Sequence, residues 1–207
     1  MAKSILQVDN LAYERNDNFL FSKLSFQLQA SQALHIEGIN GAGKTTLLRI
    51  LTGLVTPTDG IVYWQGKNIQ ECREEYHSQL LYIGHHAAIK GELTPRENLQ
   101  ANLALCGNHS NCSIETALLN LGLENYANFP CHQLSAGQQR RVALARLWLT
   151  AAKVWILDEP FAAIDKTGVT NVSAVMVEHL TQGGVLVITS HQPLSLQNCS
   201  LRRLLLE

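Results

Sequence analysis

Apolar and polar positions follow two periods along this chain, and the changes between them divide it into strands and helices. In Ile5-Leu6-Gln7-Val8 the apolar residues alternate, the period of a strand with one wet face. The same period returns at Leu24, Phe26 and Leu28, in a strand running from Phe19. Ala33-Leu34-His35-Ile36 is a short strand. Leu47, Leu48, Ile50, Leu51 and Leu54 follow it at helical spacing, and Gly53 and Pro57 end that helix. Asp59-Gly60 reads as a turn, Ile61–Trp64 as a strand and Gln65-Gly66-Lys67 as a second turn. Leu80–Gly84 is a further short apolar strand. Glu97–Leu105 and Ser113–Leu123 are helical in spacing, Ser113 being a natural helix start, with a polar stretch from Gly107 to Asn111 between them. Gln138–Ala152 and Thr167–Leu180 are helices, the latter stopped by Gly183-Gly184. Val154–Leu157 and Val185–Ile188 are unbroken apolar runs, the mark of strands buried on both faces of a parallel sheet. Leu204–Leu206 gives a last strand. The order predicts an α/β chain, one domain over 1–207. It has an antiparallel β-subdomain at its N-terminal end and a helical subdomain inserted at about 91–135.

Chemistry enters where the third strand meets the first helix. Gly38-Ile39-Asn40-Gly41-Ala42-Gly43-Lys44-Thr45-Thr46 fits the pattern G-x-x-x-x-G-K-[ST] between a strand and a helix, the context a phosphate-binding loop requires. Glycines let backbone N–H groups curl around an anion, and the helix N-terminus adds unpaired donors and a positive dipole end. Lys44 has the reach for β- and γ-phosphates, and the Thr45 hydroxyl suits Mg²⁺. A second element, Asp158-Glu159, closes a buried strand at its carboxyl end, where ligands of open α/β sheets bind. Asp158 can hold Mg²⁺ directly or through water, and Glu159 can orient or deprotonate an attacking water. Two acids closing an apolar strand also fit a solvated cap; the phosphate loop favours the chemical reading.

Composition narrows the classes. The apolar share of 46% supports a real core, and a net charge of −1 without any basic block argues against nucleic acid as the main partner. No run of about 18 apolar residues spans a membrane, and the N-terminus lacks a signal-peptide core. Cys72, Cys106, Cys112, Cys131 and Cys199 are odd in number and scattered, as reduced thiols of a cytosolic protein are.

Leu134-Ser135-Ala136-Gly137-Gln138 is similar to the L-S-G-G-Q signature of ATP-binding-cassette ATPases, with Ala136 in place of the first glycine. The phosphate loop, the signature and the strand ending in Asp158-Glu159 stand in that family's order. Ala162-Ala163-Ile164-Asp165 resembles the loop that crosses the dimer interface, His191 matches the switch histidine, and Tyr13 falls where the family stacks an aromatic on adenine. Counting back from Glu97-Asn98-Leu99 puts His85 where the family usually has a glutamine touching Mg²⁺ and water; imidazole suits Mg²⁺ less well than oxygen.

The resemblance implies a cassette fold, ATP and Mg²⁺ as cofactors, and a head-to-tail homodimer closing over two nucleotides. Leu134–Gln138 would act in trans on the partner's γ-phosphate, while Glu159 and His191 would serve hydrolysis. Within the family the chain looks most like the ATPase of the haem-export branch of cytochrome c maturation. Tyr82–His85, Gln133–Trp148, Trp155–Asp165 and Thr189–Leu194 carry that likeness. It implies a peripheral place on the cytoplasmic side of a bacterial inner membrane, beside separate membrane-spanning permease subunits. His85-His86 is not read as a haem site, since neighbouring side chains of an extended segment point apart; no direct haem binding is expected. A cassette for a cation, drug or lipoprotein would share the nucleotide chemistry. A soluble ATPase acting on DNA or ribosomes would carry two cassettes or a long coiled coil, and a scaffold without turnover would not need Glu159 and His191.

Overall fold

The computed structural model describes residues 4–106, 108–190, 196 and 199–206. Two sheets organise them. The first is antiparallel, in the order β2 (Asn18–Leu28), β1 (Leu6–Arg15), β4 (Asp59–Trp64) and β5 (Lys67–Asn68). The second is parallel, in the order β6 (Leu80–Ile83), β7 (Val154–Asp158), β8 (Val185–Thr189), β3 (Gln32–Gly38) and β9 (Ser200–Leu206). Every residue of β7 and β8 is buried, as their unbroken apolar runs require.

Two apolar clusters lie on either side of the parallel sheet. One packs Leu34, Ile36, Ile156 and Val187 against α1 (Lys44–Leu51) and the inner face of the antiparallel sheet, through Leu6, Val8 and Val62. The other packs Ile83, Trp155 and Ile188 against α7 (Lys166–Thr181) and the helices α3 (Pro95–Leu105), α4 (Ile114–Leu119), α5 (Ala136–Leu144) and α6 (Arg146–Leu149). The alternation of side chains across each strand sends Leu34 and Ile36 to one cluster and Ala33 to the other.

Several boundaries differ from the sequence expectation. Asp59-Gly60 opens β4 rather than forming a turn: Gly60 has φ 85, and a Cβ there would lie 2.5 Å from the Asn10 carbonyl oxygen, where β1 bulges. The Gln65-Gly66 turn stands, with φ 50 and 83. A short helix, α2 (Arg73–Ser78), was not foreseen; its one buried residue, Tyr76, is too little to create a period. The helix expected from Ser113 to Leu123 ends at Leu119, and the one expected over Gln138–Ala152 starts at Ala136, breaks at Ala145 and ends at Leu149. Ser135 explains the early start: its hydroxyl accepts from Gln138 N, and the Gln138 side chain returns the bond to Ser135 N.

Candidate nucleotide-binding site

The carboxyl end of β3 turns into α1 through Ile39–Gly43. Gly41 and Gly43 have φ 91 and 90, values that cost other residues strain, so the loop can curl its amides inward. Gly43 is the N-cap of α1 and has no side chain to occupy the first orphan amides, which leaves them for an anion. Lys44 folds back over this loop, donating from Nζ to the carbonyls of Gly38 (2.6 Å) and Ile39 (2.9 Å).

Beside the loop, β7 ends in Asp158, only 2% exposed. Its Oδ2 accepts from Thr45 Oγ1 (2.8 Å) and its Oδ1 from Thr189 Oγ1 (2.7 Å). Thr189 also receives the N–H of Glu159 at 3.0 Å. Glu159 has φ 49, a left-handed conformation rare for a residue with a side chain. Asn40, Gly41, Gly43–Thr46, His85, Asp158 and Glu159 line one open cleft of about 390 Å³, together with Arg15 and Leu20 of the β1–β2 hairpin. The Thr45 hydroxyl and the Asp158 carboxylate converge as hard oxygen donors, a set that fits Mg²⁺.

Tyr13, the signature and the 162–165 loop are not among the residues that line this cleft. Tyr13 packs on Phe21, ring centroids 6.4 Å apart, and Arg15 rather than Tyr13 is among the lining residues. Leu134 and the Ser135 cap lead into the first turn of α5, Ala136–Gln138, and none of the five lines the cleft of its own chain. A Cβ on Gly137 would lie 2.7 Å from the Ala163 carbonyl oxygen, so the 162–165 loop abuts the signature. Asp165 caps α7 by accepting from Gly168 N at 2.8 Å. His191 lies outside the described residues. His85 and His86 are both exposed, and their rings meet edge-on, centroids 5.5 Å apart. The expectation that they point apart fails because Gly84–Lys90 is not a strand.

Sequence reasoning missed Thr189, Arg140 and His35. Arg140 is 6% exposed and donates to the carbonyls of Gly84, His85, Asp158 and Glu159. Burial lowers its guanidinium pKa, and the nearby charges of Asp158 and Glu159 oppose that. His35 spans from Glu37 Oε1 (3.0 Å) to the Ser190 carbonyl (3.1 Å). A threonine closing an apolar strand, as Thr189 does, was the one available signal.

Residues 21–162 match the sequence profile of the ABC transporter family, well over half of the chain. The chain belongs to the ATP-binding-cassette family. It is an ABC-type ATPase with the cassette's α/β fold. It is similar to the cytochrome c biogenesis ATP-binding export protein CcmA of Escherichia coli and of Shigella flexneri. Each is 50% identical over 200 residues, covering 97% of this chain and 95% of the relative. Among solved structures it resembles an ATP-binding subunit of an ABC transporter (TM-score 0.79, 25% identity, 91% of this chain and 80% of that one). A second likeness is to the cassette MJ0796 in a post-hydrolysis dimer bound to ADP and phosphate (TM-score 0.77, 22% identity, 90% and 88%); it bears on the fold alone.

Proposed function

We propose that this cassette is the ATP-hydrolysing subunit of a membrane complex serving haem export in c-type cytochrome biogenesis, either by moving haem or by releasing a haem-loaded chaperone. The observation that carries the reading is the 50% identity to CcmA across nearly the whole of both chains, with the phosphate loop and acidic pair on one cleft. Among the described residues no helix is long and apolar enough to cross a membrane. In this reading the path for cargo belongs to separate permease subunits, of the CcmB/CcmC kind. The cassette sits against them on the cytoplasmic side of the inner membrane and binds no haem itself. His85 lines both the nucleotide cleft and a neighbouring groove of about 590 Å³ with Arg49, Leu54, His86 and Ala88. The segment from His85 to Leu93, which joins the core to the inserted helices, is the proposed route from nucleotide to permease. Residues 91–135 act as the inserted helical subdomain.

In this reading Gly38–Thr46 cradle the phosphates, Lys44 leaves the Gly38 and Ile39 carbonyls for the β- and γ-phosphates, and Tyr13 stacks on adenine. Thr45 and Asp158 would hold Mg²⁺, which would neutralise phosphate charge when bound. Glu159 takes the proton from the attacking water, His191 contacts the γ-phosphate, and His85 senses the γ-phosphate from the facing side of the cleft. Leu134–Gln138 and Asp165 act across a head-to-tail dimer, Ser135 and Gly137 closing on the partner's γ-phosphate.

The test is Glu159→Gln, which keeps shape and removes the base. ATP binding persists, turnover falls by about a hundredfold or more, and an ATP-bound dimer accumulates on size-exclusion chromatography. Turnover near the wild-type rate overturns the assignment.

A further inference from the structure

One buried cation ties together three parts of the site, and the cassette chemistry above gives it no task. Arg140 leaves α5 just beyond the Ser135 cap and reaches inward. Its Nη1 donates to the Gly84 carbonyl at 2.6 Å and the His85 carbonyl at 3.2 Å. Its Nη2 donates to the Asp158 carbonyl at 2.6 Å and the Glu159 carbonyl at 3.1 Å. Its Nε is buried without a hydrogen-bond partner. Taking a guanidinium out of water is unfavourable, and charge-assisted bonds must offset that. Those bonds run to the backbone on both walls of the catalytic corner.

Glu159 is the residue with most to lose. Its left-handed φ of 49 persists only where surrounding contacts enforce it. Thr189 Oγ1 fixes its N–H and Arg140 fixes its carbonyl, so both of its backbone polar groups are held from other elements. The same guanidinium holds the His85 carbonyl, which sets the spacing between the two sides of the cleft.

We propose that Arg140 is a positioning residue: its four carbonyl contacts hold Glu159 in its left-handed conformation and the His85 segment in register with it. Because Arg140 rides on the helix that begins at the signature, a shift of α5 moves Glu159 and His85 together. The inference rests on the reading of Glu159 as the base.

Arg140→Met removes the donors at similar length, and Arg140→Lys returns a cation without the planar fork. Turnover and the affinity for a fluorescent ATP analogue are measured on the full chain, with Glu159→Gln as control. Arg140→Met is expected to lose about a hundredfold in turnover, as a small misplacement of a catalytic group does, while analogue affinity stays within about threefold. Arg140→Lys is expected to recover about tenfold of that loss. Wild-type turnover in either variant overturns the proposal, and so does an equal fall of affinity and turnover in both. Should Arg140→Met fail to fold, Arg140→Lys decides by the same split. Wild-type turnover in Glu159→Gln instead removes the reading beneath it.

Discussion

Asp158 shows how a buried carboxylate is held in place. Two threonine hydroxyls from different elements hold its oxygens, Thr45 at the start of α1 and Thr189 at the end of β8. Hydrogen bonds to a charged group are worth about 1.5–3 kcal/mol each. Thr189→Val keeps the shape, removes one donor to Asp158 and leaves Glu159 N without its acceptor. It should cost about 2 kcal/mol of stability in a denaturant titration, and slow turnover more than it weakens ATP binding. His85 and His86 separate by exposure to the nucleotide: only His85 lines the cleft. His85→Ala should slow hydrolysis by about tenfold with little change in ATP affinity, and His86→Ala should alter neither. Equal effects of the two would remove His85 from the nucleotide site.

At the scale of elements, α7 is fastened to β7 and β8 by His179. Its ring stacks on Trp155, centroids 3.8 Å apart and planes 6° from parallel, and Nε2 meets the Val185 carbonyl at 3.1 Å. Burial pushes the imidazole pKa down to about 4, from 6.5. The folded pKa lies below the unfolded one, so the unfolded chain binds the extra proton first. This contribution is therefore complete above pH 6.5 and is lost as pH falls towards 4, amounting to about 3 kcal/mol. His179→Phe keeps a stacked ring but cannot titrate. Its stability deficit against the wild type should narrow as the pH of a denaturant series drops from 6.5 to 4. A deficit that stays constant would mean His179 is not buried as the neutral ring.

At the scale of the whole molecule, the cleft is one-sided. It opens at the carboxyl ends of β3 and β7, and the signature at the start of α5 does not line it. A second copy can supply what is missing, since the signature amides point from a helix N-terminus suited to phosphate. Ser135→Arg would block that terminus, and Lys44→Ala would disable the loop. Each homodimer should then be inactive, whereas a mixed dimer of the two retains one intact site and about half the wild-type turnover if the sites fire independently. Mixed dimers that form but hydrolyse no more than either parent would argue against the head-to-tail arrangement.

The sequence by itself determined the elements whose signal is local. The unbroken apolar runs at Val154–Leu157 and Val185–Ile188 specified buried parallel strands, and the spacing from Gly38 to Thr46 specified a strand, a loop and a helix start. Both patterns are set by near neighbours and survive in any context. The α2 helix was not legible because its single buried residue, Tyr76, makes no period, and the bulge opposite Gly60 was not because it depends on Asn10, far along the chain. The same holds for the inner supports of the site. Thr189 meets Asp158 from 31 residues away, and Arg140 meets Gly84 from 56. No periodicity encodes such a contact. Only the tertiary structure, by laying β8 beside β7 and α5 across their ends, decided that these side chains hold the catalytic corner together.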